Sequence, residues 1–135
     1  MLIVSIVTIS MTRKEQIMGK PRELLNEFLA GMKSLHREGH PEVFPAFLEY
    51  SKPLLETNVI DNKTKELVCI GIVCYHRCEY CIAYHTWKAF EAGCTPEEIL
   101  DAGLCAAIFG GGPSLAYIST LLRECIEEFK DDFKK

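Results

Sequence analysis

Beyond residue 20 the apolar positions recur every three to four residues and never alternate for long, the period of helices rather than strands. Pro21 opens the first such stretch, where Leu24, Leu25, Phe28, Leu29, Met32 and Leu35 form one stripe that Gly39 interrupts. Pro41 starts a second, with Val43, Phe44, Phe47 and Leu48 facing inward. Pro45 is tolerated in its first turn and Pro53 kinks or ends it. Asp61 reads as the N-cap of a third segment that is apolar almost all round after Glu66, the pattern of a helix buried on every side. A fourth follows from Cys78 and stops at Gly93. Thr95-Pro96-Glu97-Glu98 is a helix start, with a cap, a first-turn proline and acids at the positive end of the dipole; that helix is expected to run to about Phe109. Gly110-Gly111-Gly112 reads as a flexible break before Pro113. A last amphipathic helix carries Leu115, Ile118, Leu121, Leu122, Ile126 and Phe129 and then frays into a charged tail. The expectation is an all-α, single-domain bundle of about six helices over residues 21–135. Residues 1–20 are expected to form a peripheral arm with no catalytic role, its apolar start MLIVSIVTIS packing like a strand on a neighbouring subunit; the other reading is a start codon placed upstream of Met11 or Met18.

Composition narrows the field without changing that picture. With 135 residues the chain can build one real core and is short for two. A net charge of -4 with both signs mixed leaves no basic patch for nucleic acid. No apolar run approaches the roughly 20 residues needed to span a bilayer, so no membrane association is expected. The apolar start lacks the basic flank and cleavage site of an export signal, which points to a reducing cytoplasm. There most of the seven cysteines are small core hydrophobes, the expectation for Cys69, Cys94, Cys105 and Cys125.

Cys74, Cys78 and Cys81 form a separate group, in which Cys74 reads as a buried thiol near the site and the other two as its chemistry. Cys78-Glu79-Tyr80-Cys81 is a Cys-x-x-Cys pair, and His85 lies one helical turn beyond it. At 100° per residue Cys78, Cys81 and His85 fall within about 60° of one another on a helix. The thiolate is the nucleophile, and both a helix N-terminus and a neighbouring imidazole favour it. A carboxylate can orient that imidazole, and a second thiol can convert a sulfenic acid to a disulfide before over-oxidation. Glu66, twelve residues before Cys78, is the candidate carboxylate; its other reading is a solvated acid in a first helical turn.

Glu66, Cys78, Cys81 and His85 at these spacings, with Cys-Glu-Tyr-Cys-Ile, His85-Thr86, Ala92-Gly93, Pro96-Glu97-Glu98-Ile99 and Gly110-Gly111-Gly112-Pro113 around them, resemble the alkylhydroperoxidase D-like branch of the carboxymuconolactone decarboxylase family. The resemblance covers roughly residues 58–120. It implies an all-helical homotrimer or homohexamer that reduces hydroperoxides with a dithiol and needs no bound cofactor or metal. It also implies that Cys81 attacks the peroxide, and that Cys78 resolves the sulfenic acid and exchanges with an external dithiol reductant, a lipoyl group or thioredoxin-like protein. Glu66 and His85 would form the proton relay. Tyr80 stands where the best-defined members carry a second histidine. The lactone decarboxylases of the family generally lack the cysteine pair, which argues against that reaction.

Three alternatives use the same residues. Cys74-x3-Cys78-x2-Cys81 matches the iron–sulfur motif of radical S-adenosylmethionine enzymes, which place it after a strand rather than an apolar helix. Cys74, Cys78, Cys81 and His85 offer four ligands for structural zinc. A non-enzymatic helical oligomer could carry the site as a relic.

Overall fold

A computed structural model of the chain describes residues 20–134, so the apolar arm expected over residues 1–20 falls almost wholly outside the described residues. Among the described residues seven α-helical segments follow one another: α1 (Lys20–Ser34), α2 (Val43–Leu55), α3 (Asn62–His76), α4 (Glu79–Glu91), α5 (Pro96–Leu104), α6 (Ala107–Tyr117) and α7 (Arg123–Phe129). A π turn, Ile118–Leu122, joins the last two, and there is no strand among the described residues. The all-α expectation holds.

The local punctuation explains most boundaries. The Asp61 carboxylate accepts the Thr64 backbone N–H at 2.7 Å and starts α3. Thr95 and Glu98 close a reciprocal capping box at the start of α5, with Pro96 just inside. Gly93, at φ 87°, turns the chain out of α4. Between α3 and α4 the chain reverses on Arg77, which sits in the left-handed region at φ 56° and ψ 35°. That single residue brings α4 back along α3.

The core lies where α3, α4, α5 and the C-terminal helices meet. Ile70, Cys74, Ile82, Ile99, Leu122 and Phe129 are fully buried there. Two expectations fail in this region. The helix from Pro96 does not run to Phe109: it ends at Leu104, and the backbone tightens to three-residue hydrogen bonds at Cys105 and Ala106 before resuming. Nor are the three glycines a flexible break. The helix passes through them with a kink at Gly111 (φ 57°, ψ -146°), and Gly110 lies so close to Ser114 that a Cβ would fall 1.8 Å from the Ser114 Oγ. Glycine is there for close approach, not for slack.

The charged tail does not fray. Arg22 on α1 donates to both Asp132 oxygens at 2.7 and 2.9 Å and to Glu128 at 3.1 Å, and the Trp87 indole donates to Asp132 at 3.2 Å. The Arg22 guanidinium also lies 4.7 Å from the Phe129 ring centre.

The third segment departs most from expectation. Only one side of α3 is buried, through Glu66, Ile70, Val73 and Cys74. Val68, Ile72 and Tyr75 are exposed, and with Ala102, Cys105 and Phe109 they line an apolar groove of about 730 Å³. The helix is as apolar as its pattern implies, but the other described residues cover only one side of it.

Candidate active site

The site forms where the first turn and a half of α3 lies against α4. Asp61 fixes the start of α3, and two further contacts hold the preceding loop: the Asn62 amide donates to the Leu55 carbonyl at 2.7 Å, and Lys65 Nζ to the Glu56 carbonyl at 2.7 Å. Glu66 then points inward and is 0% exposed. A lone carboxylate that deep is costly unless paired. Its partner is His85, whose Nδ1 lies 3.0 Å from Glu66 Oε2. With Nδ1 donating, the neutral ring leaves Nε2 as its free base. The other oxygen, Oε1, has no hydrogen-bond partner. Of the two sequence readings of Glu66, the solvated acid is therefore excluded.

Cys78 and Cys81 are joined as a disulfide, with Cα atoms 5.2 Å apart, an ordinary separation for such a bond. Cys78 does not share the helical face with Cys81 and His85 as the angular arithmetic expected. It is the N-cap of α4, with extended backbone, and its Sγ accepts the Cys81 backbone N–H at 3.3 Å. This places one sulfur at the positive end of the helix dipole, where a thiolate is favoured. Cys81 and His85 are one turn apart on α4 itself, and both are partly exposed. Tyr80 does not contact the Glu66–His85 pair: its hydroxyl donates to Glu27 on α1 at 3.0 Å.

A cavity of about 440 Å³ opens beside the acid. Leu48, Ser51 and Leu55 of α2, together with Tyr84 and Lys88 of α4, enclose it, and Glu66 forms part of its wall. Burial raises the Tyr84 phenol above its ordinary value, so that ring contributes an apolar neutral surface.

The remaining thiols sort by surroundings. Cys74 is buried, its sulfur beside Gly103, and burial pushes its pKa up to about 12. It is a core side chain, which removes it from both the iron–sulfur and the zinc ligand sets considered above. Cys94 and Cys125 are buried as expected, and burial raises both, Cys94 to about 11. Cys105 is exposed, against expectation, because α5 ends just before it. Cys69 is also not a core residue. It stands half-buried three residues after Glu66, and one ligand atom each of Glu66, Cys69 and His85 lie within 4.8 Å of one another. Burial, then the nearby Glu66 charge, raise its thiol. The i, i+3 relation to Glu66 was the sequence signal for this neighbour.

The sequence profile of the carboxymuconolactone decarboxylase family matches residues 41–124, which span α2 to the start of α7 and include every site residue named here. The chain belongs to the carboxymuconolactone decarboxylase family. A crystal structure of a member from Legionella pneumophila superposes with a TM-score of 0.72 at 27% identity, covering 86% of this chain and 99% of that one. Among curated proteins, uncharacterized protein 4 of the cox locus of Paracoccus denitrificans is 31% identical over 77 residues, 57% of this chain and 69% of its own length. A protein from Cupriavidus necator is 25% identical over 85 residues, 63% of this chain and 75% of its own length. Family membership and fold are thus shown; the family contains more than one chemistry.

Proposed function

We propose that the protein is a dithiol peroxidase of the alkylhydroperoxidase D-like kind. The observation that carries this reading is the Glu66–His85 pair held one helical turn from a Cys78–Cys81 pair close enough to be bonded. His85 takes the proton of Cys81. The Cys81 thiolate attacks the terminal peroxide oxygen, the O–O bond breaks, and the alcohol leaves with a proton returned through His85. Cys81 is now a sulfenic acid. The Cys78 thiol attacks it, a disulfide forms and water leaves. An external dithiol then attacks Cys78, displacing the Cys81 thiolate. Its second thiol closes its own disulfide and releases Cys78, whose thiolate the α4 N-terminus stabilises. No bound cofactor enters the cycle. The 440 Å³ cavity beside Glu66 is the entry we assign to the hydroperoxide.

A lipoyl group or a thioredoxin-like protein is the reductant class we propose, in the cytoplasm. The working form we propose is a homotrimer or homohexamer, since the apolar side of α3 needs cover that the other described residues do not provide.

The test counts free thiols before and after a stoichiometric hydroperoxide pulse on the reduced protein. Wild type should lose two thiols per chain and consume one peroxide. Cys81→Ser should consume none. Cys78→Ser should consume one and stop at the sulfenic acid, trapped by a sulfenic-acid reagent. An unchanged wild-type thiol count would overturn the proposal, and full turnover in Cys81→Ser would reverse the order of the sulfurs.

A further inference from the structure

We infer that Glu66, Cys69 and His85 form a binding site for a divalent transition metal of the zinc class. The three side chains present one oxygen, one sulfur and one nitrogen, the donor set zinc accepts, and their ligand atoms already lie within 4.8 Å of one another. Bonds of about 2.0–2.3 Å in a tetrahedral site need ligand separations of about 3.3–3.8 Å, so side-chain adjustments of roughly 1 Å close the set.

Two features point to a ligand rather than to chance proximity. Glu66 is completely buried, yet Oε1 has no hydrogen-bond partner. Native interiors rarely leave a carboxylate oxygen that way, and a cation would satisfy it. The frame is also preset: Glu66 and Cys69 lie on successive turns of α3, and His85 is delivered from α4 with its Nδ1 already 3.0 Å from the carboxylate. Binding replaces protons with the metal. The Cys69 thiol proton passes to solvent, while the neutral His85 ring keeps its one proton on whichever nitrogen does not bind the metal, and no electron moves. A fourth position stays open to water.

The disulfide makes the site testable without ambiguity. With Cys78 and Cys81 bonded to each other, neither offers a thiolate, and Cys69 is the sulfur of the cluster. If the peroxidase reading holds, metal binding and proton relay compete for Glu66 and His85, and the metal-bound protein is the inactive form. The site itself does not depend on that reading.

The experiment titrates cobalt(II) into the full-length oxidised protein, with the disulfide verified by mass. We expect one equivalent to bind with the visible bands of tetrahedral cobalt and a near-ultraviolet thiolate-to-metal charge-transfer band, both abolished by added zinc. Cys69→Ser should lose the charge-transfer band, and both it and His85→Gln should weaken binding by more than about 100-fold, beyond what an outer-shell change produces. Far-ultraviolet circular dichroism of each variant checks that the helices persist, and Cys69→Ala serves in place of either if one unfolds. Absence of tetrahedral cobalt bands, or an unaltered spectrum and affinity in Cys69→Ser, would overturn the inference. Neither readout involves peroxide, so failure of the peroxidase reading would leave the cobalt result standing.

Discussion

Glu66 spends its burial on one contact. Its Oε2 meets His85 at 3.0 Å, and its other oxygen meets nothing. An amide at this position keeps the shape but cannot support a positive imidazole. Glu66→Gln should therefore lower the single-turnover rate of peroxide reduction by about 100-fold, within the range for a lost acid–base partner, with the melting temperature nearly unchanged. A rate within about threefold of wild type would remove Glu66 from the relay. The cysteine pair and His85 were readable because they stand at a fixed local spacing, with Cys81 and His85 one turn apart on a single helix. Glu66 is visible in the sequence as a candidate, but spacing alone favours a solvated acid; burial comes from α4 folding back over α3, which no local pattern records. Cys69 reads as a core hydrophobe in sequence for the same reason, since the side of α3 that it occupies is defined by a partner helix.

The helices were legible where they are punctuated chemically. Asp61, Thr95-Pro96 and Gly93 act through hydrogen bonds and φ preferences that travel with the residue. Legibility failed where tertiary contact decides. The Gly110–Gly112 run looks slack in sequence, whereas Ser114 fills the space beside Gly110. The turn at Arg77 is another such place. A non-glycine residue at φ 56° is strained, and no hydrogen bond from its side chain offsets this among those of the described residues. Arg77→Gly should raise stability by about 0.5–1 kcal/mol in urea unfolding, the relief of strain being partly offset by a more flexible unfolded chain. A loss of stability would mean that the arginine side chain matters more than its backbone.

Two surfaces of the molecule make opposite demands. The C-terminal clasp closes the chain on itself. Arg22, through its hydrogen bonds first, holds the Asp132 carboxyl below its ordinary value of 3.8. A depressed carboxyl contributes stability that is full above the unfolded value and is lost as pH falls through the lowered native one. Asp132→Asn should cost about 1 kcal/mol at neutral pH, a few degrees in melting temperature, and almost nothing at about pH 2. A gap independent of pH would show that packing, not charge, holds the tail. The groove on α3 is open instead. Ile108 and Phe109 beside it are 81% and 85% exposed. Phe109→Glu should shift the sedimentation of the protein to a smaller species, with helix content retained. An unchanged sedimentation coefficient would move the subunit contact elsewhere. The apolar pattern of α3 implies more burial than the helix has, because the other described residues cover only its Glu66–Ile70–Val73–Cys74 side.

The sulfur of Cys78 is both half of the disulfide and the cap of α4, accepting the Cys81 amide proton. Electron transfer therefore alters a backbone hydrogen bond directly. A thiolate accepts that proton more strongly than a disulfide sulfur does, so the Cys81 amide is a built-in reporter: its resonance in a nitrogen-15 spectrum follows the redox state of the pair without any label on the cysteines.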